Sequence, residues 1–173
     1  MSIAGIAETA EVELDNLLRA QTPRLLALAY SILGDAHAAE DAVQDTLVLA
    51  WRKWHTLRDA ESAAAWLSRI CVRRAIRSHQ GVLRRLRHET PDDDALAAAV
   101  DAREQRAPAS DVDWAHCFRT LSPPQRAVVV LHYHHDHSLD TCARLMGCRP
   151  GTARAHLARA LAKLRMEVRH EPD

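Results

Sequence analysis

Aromatic residues and glycines are scarce in this chain, and so are runs of β-branched residues. Of the 173 residues, 4% are aromatic and five are glycine, whereas 47% are hydrophobic. Leu, Ala, Val and Ile must therefore fill the core, and few segments outside residues 128–130 favour a strand. The composition predicts an all-α fold, with room for one medium domain or two small ones.

Closely spaced cysteine pairs and long apolar segments are also absent. No apolar run approaches the length of a membrane span, and we recognise no secretory signal. We therefore expect a cytoplasmic protein with no membrane span, in which thiols serve as small core residues. The four cysteines, none in a Cys-x-x-Cys pair, are Cys71, Cys117, Cys142 and Cys148.

Net charge is zero, with 23 basic and 23 acidic residues, which ordinarily argues against a nucleic-acid partner. The charges are nevertheless unevenly distributed. Residues 61–90 hold seven basic and two acidic residues, and residues 114–173 hold nine and five. Residues 1–60 and 91–113 are acidic. Two basic blocks separated by acidic ones predict two surfaces that face a polyanion. The alternative is that the charges are scattered along the chain and that the blocks result only from where the boundaries are drawn.

Residues 91–111 have the composition of a linker. They contain clustered acids, two prolines and few large apolar residues. We therefore predict a helical domain over residues 1–90, a flexible acidic linker over 91–111 and a second helical domain over 112–173.

The C-terminal third has the pattern of a helix-turn-helix. Apolar residues recur every three or four positions on both sides of Gly147, which can end the first helix because glycine adopts the left-handed conformation without steric cost. In this motif the second helix enters the DNA major groove. The alternative is a helical hairpin with a solvated basic face. Four basic residues lie on or near the outer side of the second helix: Arg149, Arg154, His156 and Arg159.

Helix-start signals place the other elements. Asp35 is expected to cap a second helix, after a first helix that Pro23 kinks or restarts. Ser122 and Gln125 form a capping box, which favours a helix over a strand at residues 128–130. A third helix is expected over about 63–80, with a basic face opposite its apolar one.

The second helix is predicted to have one apolar and one polar face. The apolar face consists of Ala39, Val43, Leu47, Ala50, Trp51 and Trp54. The opposite face carries Asp41, Gln44, Asp45, Arg52 and Lys53.

Two sets of motifs, in the correct order, resemble the RNA polymerase sigma factors of the compact, two-domain extracytoplasmic-function class. The resemblance covers residues 12–168, nearly the whole chain. The matching N-terminal segments are 24–35, 39–45, Trp51 and 65–70. The matching C-terminal ones are 121–126, Leu139, Ala143, 146–148, 151–154 and 159–165.

The resemblance implies the partners of each domain. Asp41, Gln44 and Asp45 are expected to dock on the clamp helices of the largest subunit of RNA polymerase core, as a polar and acidic stripe facing a basic partner. The flap of the second largest subunit and promoter DNA are further expected partners, as is an anti-sigma protein that holds such a chain inactive. The linker is expected to thread toward the active-site channel.

The resemblance also implies which residues bind the promoter. The loop before the third helix and the basic face of that helix are expected to melt and hold the −10 element. Arg73 and Arg77 stand where the family usually has Asn and Asp, which predicts a greater affinity for the strand. The −10 candidates are Arg58, Ser62, Arg69, Arg73, Arg74 and Arg77; the −35 candidates are Arg149, Thr152, Arg154, His156 and Arg159.

Two alternatives stay open from the residues alone. The first is a stand-alone helix-turn-helix regulator whose N-terminal domain senses a ligand or dimerises. The second is a metal-dependent enzyme built on the cluster His132, His134, His135 and His137. Those spacings match no usual zinc pattern, and no catalytic triad, phosphate-binding loop or carboxylate pair stands out. We therefore expect no metal, no cofactor and no enzymatic activity.

Overall fold

The computed structural model describes residues 3–57, 63–89 and 114–170, and in these ranges the chain forms helices and turns with no strand. A 3-10 turn, Trp54–Thr56, follows the second helix, and a π-helical turn, Val130–His134, follows the fifth. The all-α prediction is confirmed. The α-helices are α1 (Ile3–Leu33), α2 (Ala36–Lys53), α3 (Ala63–Glu89), α4 (Trp114–Arg119), α5 (Pro123–Val129), α6 (Leu139–Met146) and α7 (Pro150–His170).

The predicted helix starts are confirmed. The Asp35 carboxylate accepts a hydrogen bond from the backbone N–H of Ala38 at 2.7 Å, which caps α2. At the start of α5, the side chain of Gln125 accepts from the N–H of Ser122 at 3.0 Å. The chain through residues 128–130 is accordingly helical, as the capping signature predicts.

Glycines in the left-handed conformation end α1 and α6. Gly34 has a φ of 71° and Gly147 a φ of 73°. The N–H of Gly147 donates to the carbonyl of Ala143 at 2.9 Å, which closes the last turn of α6. The turn between α6 and α7 therefore lies where the sequence predicts it.

Two helices are longer than predicted. Pro23 does not restart α1, because residues on both sides of it, including Leu14 and Leu25, are buried and hold the helix in place. A proline costs one backbone hydrogen bond and about 3 kcal/mol in a helix interior, which such packing can offset. Helix α3 continues to Glu89 rather than ending near residue 80.

The helices α1, α2 and α3 enclose one apolar core built largely from small residues. Small side chains allow the three helices to approach closely, and the Cys71 thiol at the centre donates to the carbonyl of Leu25 at 3.6 Å. Cys71 is fully buried and is therefore a core residue, and its burial raises the pKa of the thiol to about 11. The core residues are Leu25, Ala29, Ala39, Val43, Ala50, Leu67 and Cys71.

A second apolar core spans both groups of helices, the N-terminal group α1–α3 and the C-terminal group α4–α7. Leu28 and Ile32 of α1 and Val72 and Ala75 of α3 belong to the same buried cluster as the apolar residues of α5, α6 and α7. Helices α1 and α3 thus pack against α5 and α6. The predicted linker, residues 91–111, lies outside the described residues, and the domain boundaries stay predictions.

Candidate protein and nucleic-acid interfaces

One long face of α2 is exposed and combines acidic, amide and large apolar side chains. Asp41, Gln44 and Asp45 are all exposed, as predicted. Val48 and Trp51 lie on the same face, since steps of three and four residues keep one side of a helix, and they are 50% and 67% exposed. We call these five residues the α2 face.

The prediction that Trp51 lies in the core is wrong. The buried stripe of α2 follows Ala39, Val43, Thr46 and Ala50, at intervals of four, three and four residues, and Ala42 is buried beside it. Trp51 is one position past Ala50 and is therefore rotated by about 100° away from that stripe. Trp51 follows Gln44 by seven residues, which is about two helical turns, so the two side chains lie on the same side of α2. This spacing is the signal in the sequence that indicates the exposure of Trp51.

The basic residues of α3 surround a cleft between α2 and α3. Arg69 and Arg77 are exposed, whereas Arg73 and Arg74 are half-buried. The guanidinium of Arg74 lies 3.5 Å from the carboxylate of Asp45. The cleft measures about 270 Å³ and is lined by Leu49, Lys53, Trp66, Arg69, Ile70, Arg73, Arg74 and Arg77.

Arg73, a predicted strand-binding residue, is hydrogen-bonded to the other group of helices. Among the described residues, its Nη2 donates to the carbonyl of Arg144 at 2.9 Å and its Nε to that of Leu145 at 3.3 Å. Both carbonyls belong to the last turn of α6. Arg58 and Ser62, also predicted to bind the −10 element, lie outside the described residues.

The outer side of α7 presents the predicted −35 residues to solvent. Its inner side is buried through Ala153, Leu157 and Ala160, so the remaining surface faces outward. His156 is half-buried, and burial, followed by the charge of Arg159, lowers its pKa. The exposed members of this set are Arg149, Thr152, Arg154 and Arg159.

The match to known proteins decides the family. A family model described as Sigma-70 region 2 matches residues 17–88, and one described as Sigma-70, region 4 matches residues 112–164. The RNA polymerase sigma-E factor of Streptomyces coelicolor is 31% identical over 164 residues, which cover 91% of this chain and 86% of that protein. This chain belongs to the sigma-70 family.

Further relatives agree with this assignment. The extracytoplasmic-function sigma factor EcfG of Rhodopseudomonas palustris is 30% identical and covers 87% of this sigma factor and 81% of its own length. The sigma factor RpoE of Bartonella quintana, solved in complex with the anti-sigma factor NepR, has a TM-score of 0.61 at 23% identity. That alignment covers 92% of this chain and 99% of RpoE, so the two share a fold.

As a sigma factor, the chain is a transcription initiation factor that recognises promoters. The resemblance read from the motifs is confirmed. The region 2 match includes α2 and α3, to which the regulator alternative would assign sensing or dimerisation, so that alternative is not favoured.

The histidine cluster of the sigma factor lies at the π-helical turn. His132 Nδ1 lies 2.8 Å from the carbonyl of His137. Burial, followed by the neighbouring His134, His137 and Arg24, lowers the pKa of His135. No group of three or more His, Cys, Asp or Glu side chains within the described ranges is arranged to hold a metal ion. In those ranges, too, every helix falls short of the length or apolar character that crossing a bilayer requires.

Proposed function

We propose that this sigma factor binds RNA polymerase core through the α2 face, holds a melted strand of the −10 element with the basic face of α3, and reads the −35 element with α7. The clamp helices of the largest subunit and the flap of the second largest are the proposed sites on core. The protein acts in the cytoplasm and supplies recognition and melting, while catalysis belongs to the polymerase.

The observation that carries this proposal is the exposure of Trp51 beside two acids. An indole is rarely left in water when a core is available, and aromatic residues are enriched at the centres of protein interfaces. Val48 extends the apolar strip, and Asp41 and Gln44 border it. An apolar centre with an acidic border fits a partner helix that carries basic and apolar residues.

The positive charge on the basic face of α3 supports its proposed role in binding a single DNA strand. Arg69, Arg74 and Arg77 line one cleft with Lys53 and Trp66, so phosphates and a stacked base would find cations and an aromatic ring together. Single-strand binding generally combines these two groups. We propose the same role for Arg58 and Ser62.

The outward position of the arginines on α7 supports its proposed role in reading the −35 duplex. Arginine can bond guanine O6 and N7 together, and Arg154 and Arg159 point away from the buried side of the recognition helix. Arg149 lies just before the first turn of α7, where contacts to phosphates position such helices.

We propose an anti-sigma protein as a further partner. The sigma factor RpoE, which shares this fold, was solved with the anti-sigma factor NepR. CnrH, solved with the cytosolic domain of CnrY, has a TM-score of 0.53.

Binding to purified polymerase core tests the proposal. We expect Trp51→Ala to weaken the complex by about 2 kcal/mol, as the loss of a central aromatic residue commonly does. As a separate variant, Asp41→Lys should weaken the complex by more than that, because it reverses a charge. Asp41 is preferred to Asp45, since reversing Asp45 would also remove the ion pair with Arg74.

Asp15→Lys is the matched control for the charge reversal, because Asp15 is an exposed aspartate on α1 whose ion pair with Arg19 lies at the surface. Circular dichroism checks that each variant is folded. Full binding of core by both folded α2 variants would remove the α2 face from the proposal.

A further inference from the structure

Two arginines cross between the two groups of helices, and each lies over the C-terminal end of a helix in the opposite group. Arg73 of α3 donates to the carbonyls of Arg144 and Leu145 at the end of α6. Arg126 of α5 donates from Nη1 to the carbonyl of Leu33, the last residue of α1, at 2.8 Å. The arrangement is reciprocal, since each group supplies one arginine and one helix end.

Both helix ends are suited to a guanidinium. The last carbonyls of a helix lack partners within that helix and carry the negative end of its dipole, so a cation with several N–H donors stabilises them. Each of these helices is followed by a glycine in the left-handed conformation, Gly34 after α1 and Gly147 after α6.

The two glycines also make room for the arginines. A Cβ on Gly34 would lie 2.7 Å from Nη1 of Arg126, and one on Gly147 would lie 2.8 Å from Nε of Arg73. Both distances are shorter than non-bonded contacts allow. The guanidinium groups therefore lie directly against backbone that has no side chain.

The two arginines differ in burial, which separates their roles. Arg126 is 8% exposed, and its Nε also donates to the carbonyl of Leu121 at 3.0 Å, so it is fixed in the interior. Arg73 is half-buried at the edge of the α3 cleft. The same N–H groups of Arg73 that reach α6 would also bond a phosphate oxygen, and they cannot do both at once.

We propose that Arg73 and Arg126 form a latch that holds the two groups of helices in a closed state, and that closure withholds Arg73 from a single DNA strand. The closed state leaves the α2 face and the outer side of α7 exposed, so it gates the strand site selectively. The gating half of this proposal rests on the strand-binding role proposed above for α3. An Asn side chain at position 73, which the resemblance implies, would be too short to span the same gap.

Small-angle X-ray scattering of the full chain tests the latch without any DNA. We expect Arg126→Met and Arg73→Asn to increase the radius of gyration, since removing hydrogen bonds from a charged donor shifts the equilibrium toward the open state by roughly tenfold or more. Arg77→Asn is the matched control, because Arg77 lies one helical turn beyond Arg73 and is exposed. An unchanged radius of gyration in both latch variants would overturn the proposal.

Arg126 is buried, so its replacement is first checked by circular dichroism. If Arg126→Met does not fold, Arg73→Asn decides the test of closure, together with Arg126→Lys, which keeps the charge and the apolar stem. Hydrogen exchange at the end of α6 gives a second readout, and faster exchange there is expected in the opened variants.

Fluorescence anisotropy with a labelled deoxythymidine oligomer tests the gating. We expect Arg126→Met to bind the oligomer several-fold more tightly than the unaltered chain, although it has lost a positive charge, because Arg73 becomes available. Arg77→Asn should bind more weakly while staying closed. An opened Arg126→Met chain with unchanged affinity would overturn the gating. Absence of binding by every chain would contradict the proposed strand-binding role of α3 as well, and the scattering result would still decide the latch.

Discussion

Helices α3 and α7 both carry several arginines, yet they use them differently. Arg154 and Arg159 are exposed on the outer side of α7, and Arg149 is exposed just before its first turn. On α3, Arg74 is paired with Asp45 and Arg73 is bonded to the end of α6. Arginine therefore serves as a solvent-facing contact on α7, whereas on α3 one of the arginines, Arg73, also connects the two groups of helices.

This difference shows what charge counts can and cannot reveal. An excess of arginine identifies a block of the chain that can meet a polyanion. It does not reveal which guanidinium groups are already occupied by carbonyls or carboxylates, because those partners lie far away in sequence. Arg73 and Leu145 are 72 residues apart and meet only in the folded chain.

The largest effect is expected from replacing arginines of α7, and it tests whether these residues contact DNA. Arg154→Ala or Arg159→Ala should weaken binding of a −35 duplex by roughly 1–3 kcal/mol if the arginine contacts a base, with relaxed preference at one position. If the residue contacts a phosphate, all sequences should weaken alike and the salt dependence should flatten. Anisotropy across a salt series separates these results.

Arg19→Ala is the control for the duplex measurements, since Arg19 is exposed on α1, far along the chain from α7. Unchanged affinity and salt dependence in both α7 variants would mean that the recognition surface lies elsewhere.

A smaller effect is expected from pH. Burial and the charge of Arg159 lower the pKa of His156 below its ordinary value of 6.5. The unfolded chain therefore takes up a proton first as the pH falls below 6.5, and the folded state loses stability until its own lower pKa is passed.

Thermal melting between about pH 7.5 and pH 5 measures this dependence, and His156→Gln should reduce it. His37→Gln is the control, because His37 is 84% exposed. Equal pH dependence in the two variants would show that the folded chain does not disfavour the charge on His156.

The smallest effect concerns Asp140, the acidic neighbour of Arg154. The guanidinium of Arg154 lies 3.4 Å from the carboxylate of Asp140, and both side chains are more than half exposed. Such a pair contributes about 0–1 kcal/mol, so Asp140→Asn should leave the melting temperature nearly unchanged while binding of a −35 duplex increases slightly. A marked loss of stability would mean that the ion pair of Arg154 with Asp140 contributes to the fold, as the hydrogen bonds of Arg73 are proposed to do.

Local signals in the sequence predicted much of the fold. Asp35 and Gln125 act within four residues of the backbone groups they cap, so their roles are readable without any tertiary knowledge. Gly147 likewise ends α6 because of its own backbone freedom. The helix-turn-helix, the outward residues of α7 and the polar stripe of α2 all follow from such local patterns.

The features that the sequence did not reveal depend on packing. Trp51 resembles a core residue by type, and its exposure follows from a buried stripe of smaller residues that leaves no place for it. The continuation of α1 through Pro23 depends on burial of Leu14 and Leu25 on either side. The contact between the two groups of helices depends on Leu28, Ile32, Val72 and Ala75, whose apolar partners lie on helices far along the chain.

The apolar cluster that α1 and α3 share with α5, α6 and α7 has a consequence for cooperativity. Leu28 and Ile32 lose part of their burial if either group of helices unfolds, so neither group keeps an intact core alone. Halves that share a core are expected to melt in a single calorimetric transition, whereas halves joined only by a linker melt in two. The closed chain should thus unfold as one cooperative unit, although it consists of two regions that match separate family models.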